Sequence, residues 1–217
     1  MKKGLTELVF ILDKSGSMGG LESDTIGGYN SMLKKQQELD GECRVTTVLF
    51  DHNYELLHDR IDLKAISPIT EKEYHVGGST ALLDAIGRTI HKIDNAQKNT
   101  AKKYRAKNVM FVIITDGEEN SSREYSIKKI KNQIEKQKEK HDWEFIFLGA
   151  NIDAVETAGY FGITPDRAVE YLSDHEGTQL NYAMMSDTIL SYRKKGTIDE
   201  SGLEKIRDDV KRRKKDK

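Results

Sequence analysis

Short runs of apolar residues recur along the chain, and polar segments separate them. Four of these runs are continuous and rich in β-branched and aromatic residues; they span residues 8–12, 45–50, 109–114 and 145–148. Continuous runs are typical of parallel strands that are covered on both faces, whereas half-exposed strands alternate in polarity. We therefore predict four buried parallel strands.

Two further runs are more mixed in polarity. Residues 54–58 follow the second run after a short connection, which predicts an antiparallel strand at the edge of the sheet. Residues 167–172 follow the turn signal Thr-Pro-Asp and are a sixth candidate strand. The expected sheet has six strands.

The segments between the strands have the apolar periodicity of helices. The apolar positions are Ile26, Tyr29 and Leu33 in a first helix, Leu82, Ala85, Ile86, Thr89, Ile90 and Ile93 in a second, and Ile127, Ile130 and Ile134 in a third. Strands with one helix between them form βαβ units, which require a parallel sheet with right-handed crossovers. The fold class is therefore α/β, with a doubly wound, mostly parallel sheet flanked by helices.

Sequence signals also indicate where two helices begin. Ser121 with Glu124, and Ser173 with Glu176, have the spacing of capping boxes. We expect the first pair to begin the third helix and the second pair to begin a last long helix. A short helix is expected between the fifth and sixth strands.

The length of 217 residues suits one domain, or one domain with an appendage. We assign residues 1–195 to the domain and residues 196–217 to a charged C-terminal tail, which ends in Lys-Arg-Arg-Lys-Lys-Asp-Lys. A short helix is expected in this tail, and its end should fray. The apolar residues that would line one face of that helix are Ile198, Leu203, Ile206 and Val210.

Composition narrows the classes of function. Lys and Arg (35) nearly balance Asp and Glu (36), so the net charge of −1 gives no support to a global role in binding polyanions. No apolar run approaches the roughly 20 residues that span a bilayer, and Glu7 interrupts any signal-peptide core. The single cysteine, Cys43, cannot form an internal disulfide, which favours the reducing cytoplasm.

An oxygen-rich loop follows the first predicted strand. Asp13, Ser15 and Ser17 alternate along this loop, and Gly16 permits a tight turn between the two serines. Hard cations such as Mg²⁺ and Mn²⁺ prefer oxygen ligands in octahedral geometry, so this loop is a candidate metal site. The alternative interpretation is an ordinary glycine-serine turn.

Two other segments offer oxygen atoms at the same edge of the predicted sheet. Asp116 follows the strand at residues 109–114, and ligands of open α/β sheets bind outside the carboxyl ends of the strands. Thr80 lies within Gly-Gly-Ser-Thr at the start of the second helix, where its hydroxyl would otherwise serve as an N-cap. If the two strands are neighbours, Asp13 and Asp116 face one crevice.

Taken together, these motifs resemble the complete metal-ion-dependent adhesion site of von Willebrand factor A domains. The matching positions, in order, are Asp13, Ser15, Ser17, Thr80 and Asp116. The resemblance extends from Leu5 to Leu190, and it implies a Rossmann-like sheet ordered 3-2-1-4-5-6 with one antiparallel edge strand. It also implies that both serines and Thr80 contact the metal directly, and that the two aspartates do so directly or through water.

The resemblance implies a protein-binding module rather than an enzyme. The expected ion is Mg²⁺, with Mn²⁺ or Ca²⁺ as competitors, and it would accept an Asp or Glu side chain from a protein partner. Nucleic acid and membrane partners are not expected, and the oligomeric state is left open. One alternative is a Mg²⁺-dependent phosphohydrolase with Asp13 as nucleophile. Haloacid dehalogenases, which use such an aspartate, normally have a second aspartate two positions later as general acid, and Ser15 at that position disfavours this alternative. The other alternative is a nucleic-acid-associated scaffold.

Two charged neighbours of the motif also carry expectations. Asp84 lies one helical turn after Thr80, and we expect it either to form hydrogen bonds near the serine loop or to be exposed. Lys14 is expected to point away from the ion and to stay solvated.

Overall fold

The computed structural model describes residues 2–199 and 201–215. Its strands form one six-stranded sheet in the order β3-β2-β1-β4-β5-β6, in which only β2 and β3 pair antiparallel within the described residues. The strands are β1 (Lys2–Asp13), β2 (Cys43–Phe50), β3 (Tyr54–Asp62), β4 (Ala106–Thr115), β5 (Glu144–Gly149) and β6 (Ala168–Glu170). The predicted strand order and the antiparallel edge strand are confirmed.

Helices cover both faces of the sheet. They are α1 (Glu22–Gln37), α2 (Leu82–Asn99), α3 (Ile127–His141), α4 (Ala154–Tyr160), α5 (His175–Lys195) and α6 (Ser201–Lys215). Alternate residues of β1 pack against the helices on opposite faces of the sheet, because side chains on a strand alternate between its two faces. Phe10 packs into the core beneath α1 and α5, while Val9 and Ile11 pack into the core beneath α2 and α3.

The carboxyl ends of β1 and β4 lie side by side. Leu12 pairs with Ile114 in the parallel register, so the residues that follow both strands emerge at one edge of the sheet. On the other side of β1, Asp13 pairs with Phe50 of β2. The topology therefore brings the loops after β1 and β4 together, as the sequence predicts.

Both predicted capping boxes are wrong: the N-cap of α3 lies five residues after Ser121, and the N-cap of α5 lies one residue after Ser173. α3 begins after Ser126, whose side chain accepts a hydrogen bond from Lys129 N. α5 begins after Asp174, which caps Gly177 N at 2.9 Å. The predicted caps Ser121 and Ser173 lie instead in the preceding loops, where tertiary contacts hold them. Within α3, Ile127 is 46% exposed and does not join the apolar face.

The C-terminal segment packs against the domain. Leu203 and Ile206 of α6 are buried in the core that α1 and α5 also line, and a Cβ on Gly202 would lie 2.7 Å from Thr188 Oγ1 of α5. Arg213 forms an ion pair with Asp174, the N-cap of α5. Residues 201–215 thus form a packed helix, and the boundary at residue 195 stays a prediction.

Within the described residues, no helix combines the length and the apolar composition that crossing a membrane requires.

Candidate metal centre

Three loops at the carboxyl edge of the sheet are joined by backbone hydrogen bonds. The loop after β1 is held to the segment before α2, because Gly16 N donates to Gly78 O at 3.0 Å and Gly77 N donates to Lys14 O at 2.9 Å. The loop after β4 is held to the same segment, because Asn120 N donates to Thr80 O at 3.1 Å. The backbone therefore fixes the relative positions of all three candidate loops.

Three hydroxyl groups from these loops converge over Gly117. A Cβ on Gly117 would lie 2.9 Å from Ser17 Oγ, 3.1 Å from Thr80 Oγ1 and 3.7 Å from Ser15 Oγ. Ser15 and Thr80 are buried, whereas Ser17 is exposed. The lack of a side chain at residue 117 thus leaves room for the three hydroxyls to face one point, with an opening toward solvent.

The spacing of the hydroxyls suits a small divalent ion. Ser15 Oγ and Ser17 Oγ share a hydrogen bond and are 3.1 Å apart. In an octahedron with Mg–O distances of about 2.0–2.1 Å, adjacent oxygen atoms are separated by about 2.9 Å. The two serine oxygens are therefore spaced as neighbouring ligands of one Mg²⁺ ion would be.

Asp13 lies at the base of the site and holds the serine loop. Its side chain accepts a hydrogen bond from Ser15 N at 2.7 Å on one oxygen and from Thr115 Oγ1 at 2.5 Å on the other. Burial raises the pKa of Asp13 to about 6, although the hydrogen bonds from Ser15 and Thr115 oppose the shift. A nearby cation would favour the charged form of this buried carboxylate.

Asp116 is also buried, but its hydrogen bonding is incomplete. Its Oδ2 accepts a long hydrogen bond of 3.4 Å from Ser173 Oγ, while its buried Oδ1 has no hydrogen-bond partner among the described residues. Burial raises the pKa of Asp116 above its usual value, and the hydroxyls of Ser17 and Ser173 oppose this shift. Buried polar atoms are normally satisfied, so this oxygen has the capacity to bind a further group.

The hydroxyl of Thr80 does not cap α2. The N-cap position is Ala81, which makes no side-chain cap, and the helix begins at Leu82. Thr80 N donates to Asn120 Oδ1 at 2.9 Å. Its side chain is therefore left to the cluster over Gly117, and the N-cap alternative is wrong.

Two neighbouring charges differ from the sequence expectations. Asp84 is buried and accepts hydrogen bonds of 2.9 Å from the backbone N–H groups of Arg123, Glu124 and Tyr125, so it organises the loop before α3 rather than the serine loop. Lys14 is buried as well, and its Nζ lies 2.6 Å from Glu55 Oε2 on β3. The expectation that Lys14 stays solvated is wrong.

Sequence reasoning missed two residues that support the carboxylates. Thr115 precedes Asp116 and donates to Asp13, so it links the two candidate ligands. Ser173 comes from the loop between β6 and α5 and contacts Asp116 Oδ2. Thr115 is adjacent to the motif residue Asp116, so the sequence could have identified it. No sequence pattern near Ser173 indicates its contact with Asp116.

The candidate centre differs from metal sites that are built mainly from His, Cys, Asp or Glu side chains. Within residues 2–199 and 201–215, no group of three or more His, Cys, Asp or Glu side chains is arranged to hold a metal ion. The candidate centre has only two carboxylates and otherwise uses hydroxyls. Its donor set consists of hard oxygen atoms, which suits Mg²⁺ or Mn²⁺ better than Zn²⁺.

Solved structures with the same architecture were found by comparison. A D319A mutant of the PilB minor pilin from Streptococcus sanguinis superposes with a TM-score of 0.59 and 13% identity over 87% of this chain and 62% of that one. A von Willebrand factor type A protein from Catenulispora acidiphila gives 0.56 and 15% over 84% of this chain and 42% of that one. The chain has the von Willebrand factor type A fold.

A third similar structure was solved with metal. The manganese-loaded TRAP protein of Plasmodium vivax gives a TM-score of 0.58 and 20% identity over 82% of this chain and 72% of that one. No protein-family model matches the sequence, and no curated protein matches it significantly. The chain spans less than two thirds of the pilin and of the Catenulispora protein, and at these identities the likeness establishes the fold alone.

Proposed function

We propose that this protein is a divalent-metal-dependent protein-binding module of the cytoplasm, without enzymatic activity. Its metal ligands would be Ser15, Ser17 and Thr80, with Asp13 and Asp116 bound directly or through water. The observation that carries the proposal is the convergence of three hydroxyls over Gly117 beside the orphaned Asp116 Oδ1. The manganese-loaded TRAP structure supports a divalent ion at such a fold.

The donor set accounts for the proposed role in binding. Hydroxyl oxygens are neutral, so a Mg²⁺ ion that contacts both aspartates only through water would keep most of its charge and would favour an anionic ligand at an open position. Ser17 is exposed, which leaves the site accessible from solvent. An Asp or Glu side chain of a partner protein has the hard, anionic oxygen that this position calls for.

The geometry gives less support to the two alternatives. Asp13 is 1% exposed and both of its carboxylate oxygens accept hydrogen bonds, so it is poorly placed to attack a phosphate ester. Three of the five described basic residues of the C-terminal cluster form ion pairs: Arg212 with Asp209, Arg213 with Asp174 and Lys214 with Glu170. These ion pairs reduce the positive charge that the cluster offers to nucleic acid.

Calorimetric titration with MgCl₂ and with MnCl₂ tests the metal site. We expect binding by the wild type and a loss of affinity in Ser17→Ala, whose exposed hydroxyl is removed without disturbing the core. The matched control is Ser31→Ala, the same substitution at an exposed position of α1. Equal metal affinity in wild type and Ser17→Ala would contradict the assignment of the ligands.

Partner binding is tested separately. A pull-down from lysate in Mg²⁺, repeated in EDTA and with Ser17→Ala, should capture a partner only with the intact loaded site. A captured partner should lose binding when its contacting Asp or Glu is changed to Asn or Gln. A partner retained equally in EDTA would show that protein binding does not use the ion.

A further inference from the structure

A second candidate site lies at the opposite edge of the sheet. A cleft of about 220 Å³ opens between the C-terminal ends of α2 and α3, beside the start of β4. We call it the basal cleft; its principal lining residues are Lys98, Lys102, Arg105, Lys140, His141 and Trp143. The proposed metal ligands follow the carboxyl ends of the strands, so the two sites are separated by the length of the sheet.

The basal cleft contains more cationic side chains than those that contact the C-terminal end of α2. Cations near a helix C-terminus normally offset its macrodipole. Arg105 already does this for α2, since its Nε donates to Thr100 O at 2.7 Å and its Nη2 donates to Lys98 O at 2.9 Å. The Lys98 ammonium lies 2.6 Å from Asp94 and is neutralised.

Two lysines of the cleft are left without an acidic partner. Among the described residues, no carboxylate lies within ion-pair distance of Lys102 or Lys140. The other acidic residue that lines the cleft is Asp142, which is the C-cap of α3 and has a left-handed backbone conformation. Counting every lining residue, four cationic side chains face two acidic ones, so the cleft has a net positive charge.

An aromatic wall lies beside these charges. Trp143 is 5% exposed, and its ring stacks on Phe111 with centroids 5.5 Å apart. Nothing in the described part of the chain accepts a hydrogen bond from the indole N–H of Trp143. This N–H is not among the buried unsatisfied atoms of the described residues, so it is accessible from the cleft and can donate to a bound ligand.

We propose that the basal cleft binds a small anion with an apolar body, of the aryl phosphate class. The phosphate would lie between Lys102 and Lys140, and the ring would lie against Trp143. The volume is below the roughly 300–1,000 Å³ of pockets for drug-sized ligands, which restricts the site to a small molecule. This site is independent of the metal centre, and its test does not depend on metal binding.

Trp143 provides a specific reporter because it is the single tryptophan of the chain. The indole N–H signal in a proton–nitrogen correlation spectrum is followed while phenyl phosphate is added to the full-length protein. Inorganic phosphate and phenol are titrated in parallel, to separate the contributions of the anion and of the ring. We expect the signal to shift with phenyl phosphate and the affinity to be at least about fivefold higher than for either fragment.

The variant Lys102→Ala/Lys140→Ala should bind phenyl phosphate at least about fivefold more weakly, because it removes both lysines that would pair with the phosphate. The control Lys34→Ala/Lys128→Ala removes two exposed lysines elsewhere and should bind as the wild type does. Added NaCl should weaken binding, and EDTA should not. An unmoved indole signal, equal binding of phenol, or unchanged affinity in the cleft variant would overturn the proposal.

Discussion

Replacing Gly117 with alanine is the sharpest test of the hydroxyl cluster. The added methyl group would lie 2.9 Å from Ser17 Oγ and 3.1 Å from Thr80 Oγ1, closer than nonbonded carbon and oxygen atoms normally approach. Both hydroxyls would have to turn away from their common point. We expect Mg²⁺ affinity to fall at least about tenfold, which corresponds to about 1.4 kcal/mol of binding free energy.

The same substitution should leave the fold nearly unchanged. The atoms that the methyl group meets are the ends of side chains on loops, and Ser17 is exposed. We expect the free energy of unfolding in EDTA to change by less than about 1 kcal/mol, as for most substitutions away from the core. Calorimetry with MgCl₂ and urea denaturation in EDTA measure the two quantities separately.

Gly27→Ala is the matched control. Gly27 lies within α1, and a Cβ there would have no atom within 4 Å. Alanine should raise the free energy of unfolding by about 0.5–1 kcal/mol, because glycine is disfavoured inside helices, and should leave Mg²⁺ affinity unchanged. If Gly117→Ala binds Mg²⁺ as the wild type and Gly27→Ala do, the hydroxyl cluster is not the metal site.

Three predictions concern stability, each measured by urea denaturation. Gly28→Ala should cost about 1–3 kcal/mol, since its Cβ would lie 2.4 Å from the buried ring of Tyr182; no loss would mean that the ring moves freely. Arg60→Ala should cost about 3–5 kcal/mol, because it leaves the fully buried Glu7 without its paired guanidinium; a loss below 1 kcal/mol would show that Glu7 finds another partner. Truncation before Ser201 should cost at least about 2–5 kcal/mol through loss of buried Leu203 and Ile206, whereas unchanged stability would confirm residues 1–195 as the complete domain.

The sheet was largely predictable from the sequence because its strands are buried on both faces. Such strands are continuous apolar runs, and residues 8–12, 109–114 and 145–148 stand out from their polar surroundings. The strand order came from the resemblance of the motif residues to a known fold. The convergence of Asp13 and Asp116 then follows from the adjacency of β1 and β4.

Contacts between distant segments explain what the sequence did not predict. Ser121 has the spacing of a cap, but the carboxylate of Asp84 binds the backbone N–H groups of Arg123, Glu124 and Tyr125 and holds that loop outside the helix. Ser173 likewise contacts Asp116, which is 57 residues away. No local pattern records either contact.

Contacts between distant segments also explain why the burial of Lys14 and the packing of α6 were not predicted. Lys14 is buried because Glu55 on another strand pairs with it, and Leu203 with Ile206 is buried because α5 offers a complementary surface. A charge-rich segment with few apolar residues is typical of a solvated tail. Here three buried apolar side chains, Leu203, Ile206 and Val210, and several ion pairs are enough to dock it.

The backbone hydrogen bonds that join the three loops have a consequence for how an ion enters and leaves. Because backbone hydrogen bonds join the three loops, we expect little ordering cost to be subtracted from the affinity of a ligand. We therefore expect chelation to switch partner binding off while the molecule stays folded. Adding magnesium back should restore binding without a slow refolding step.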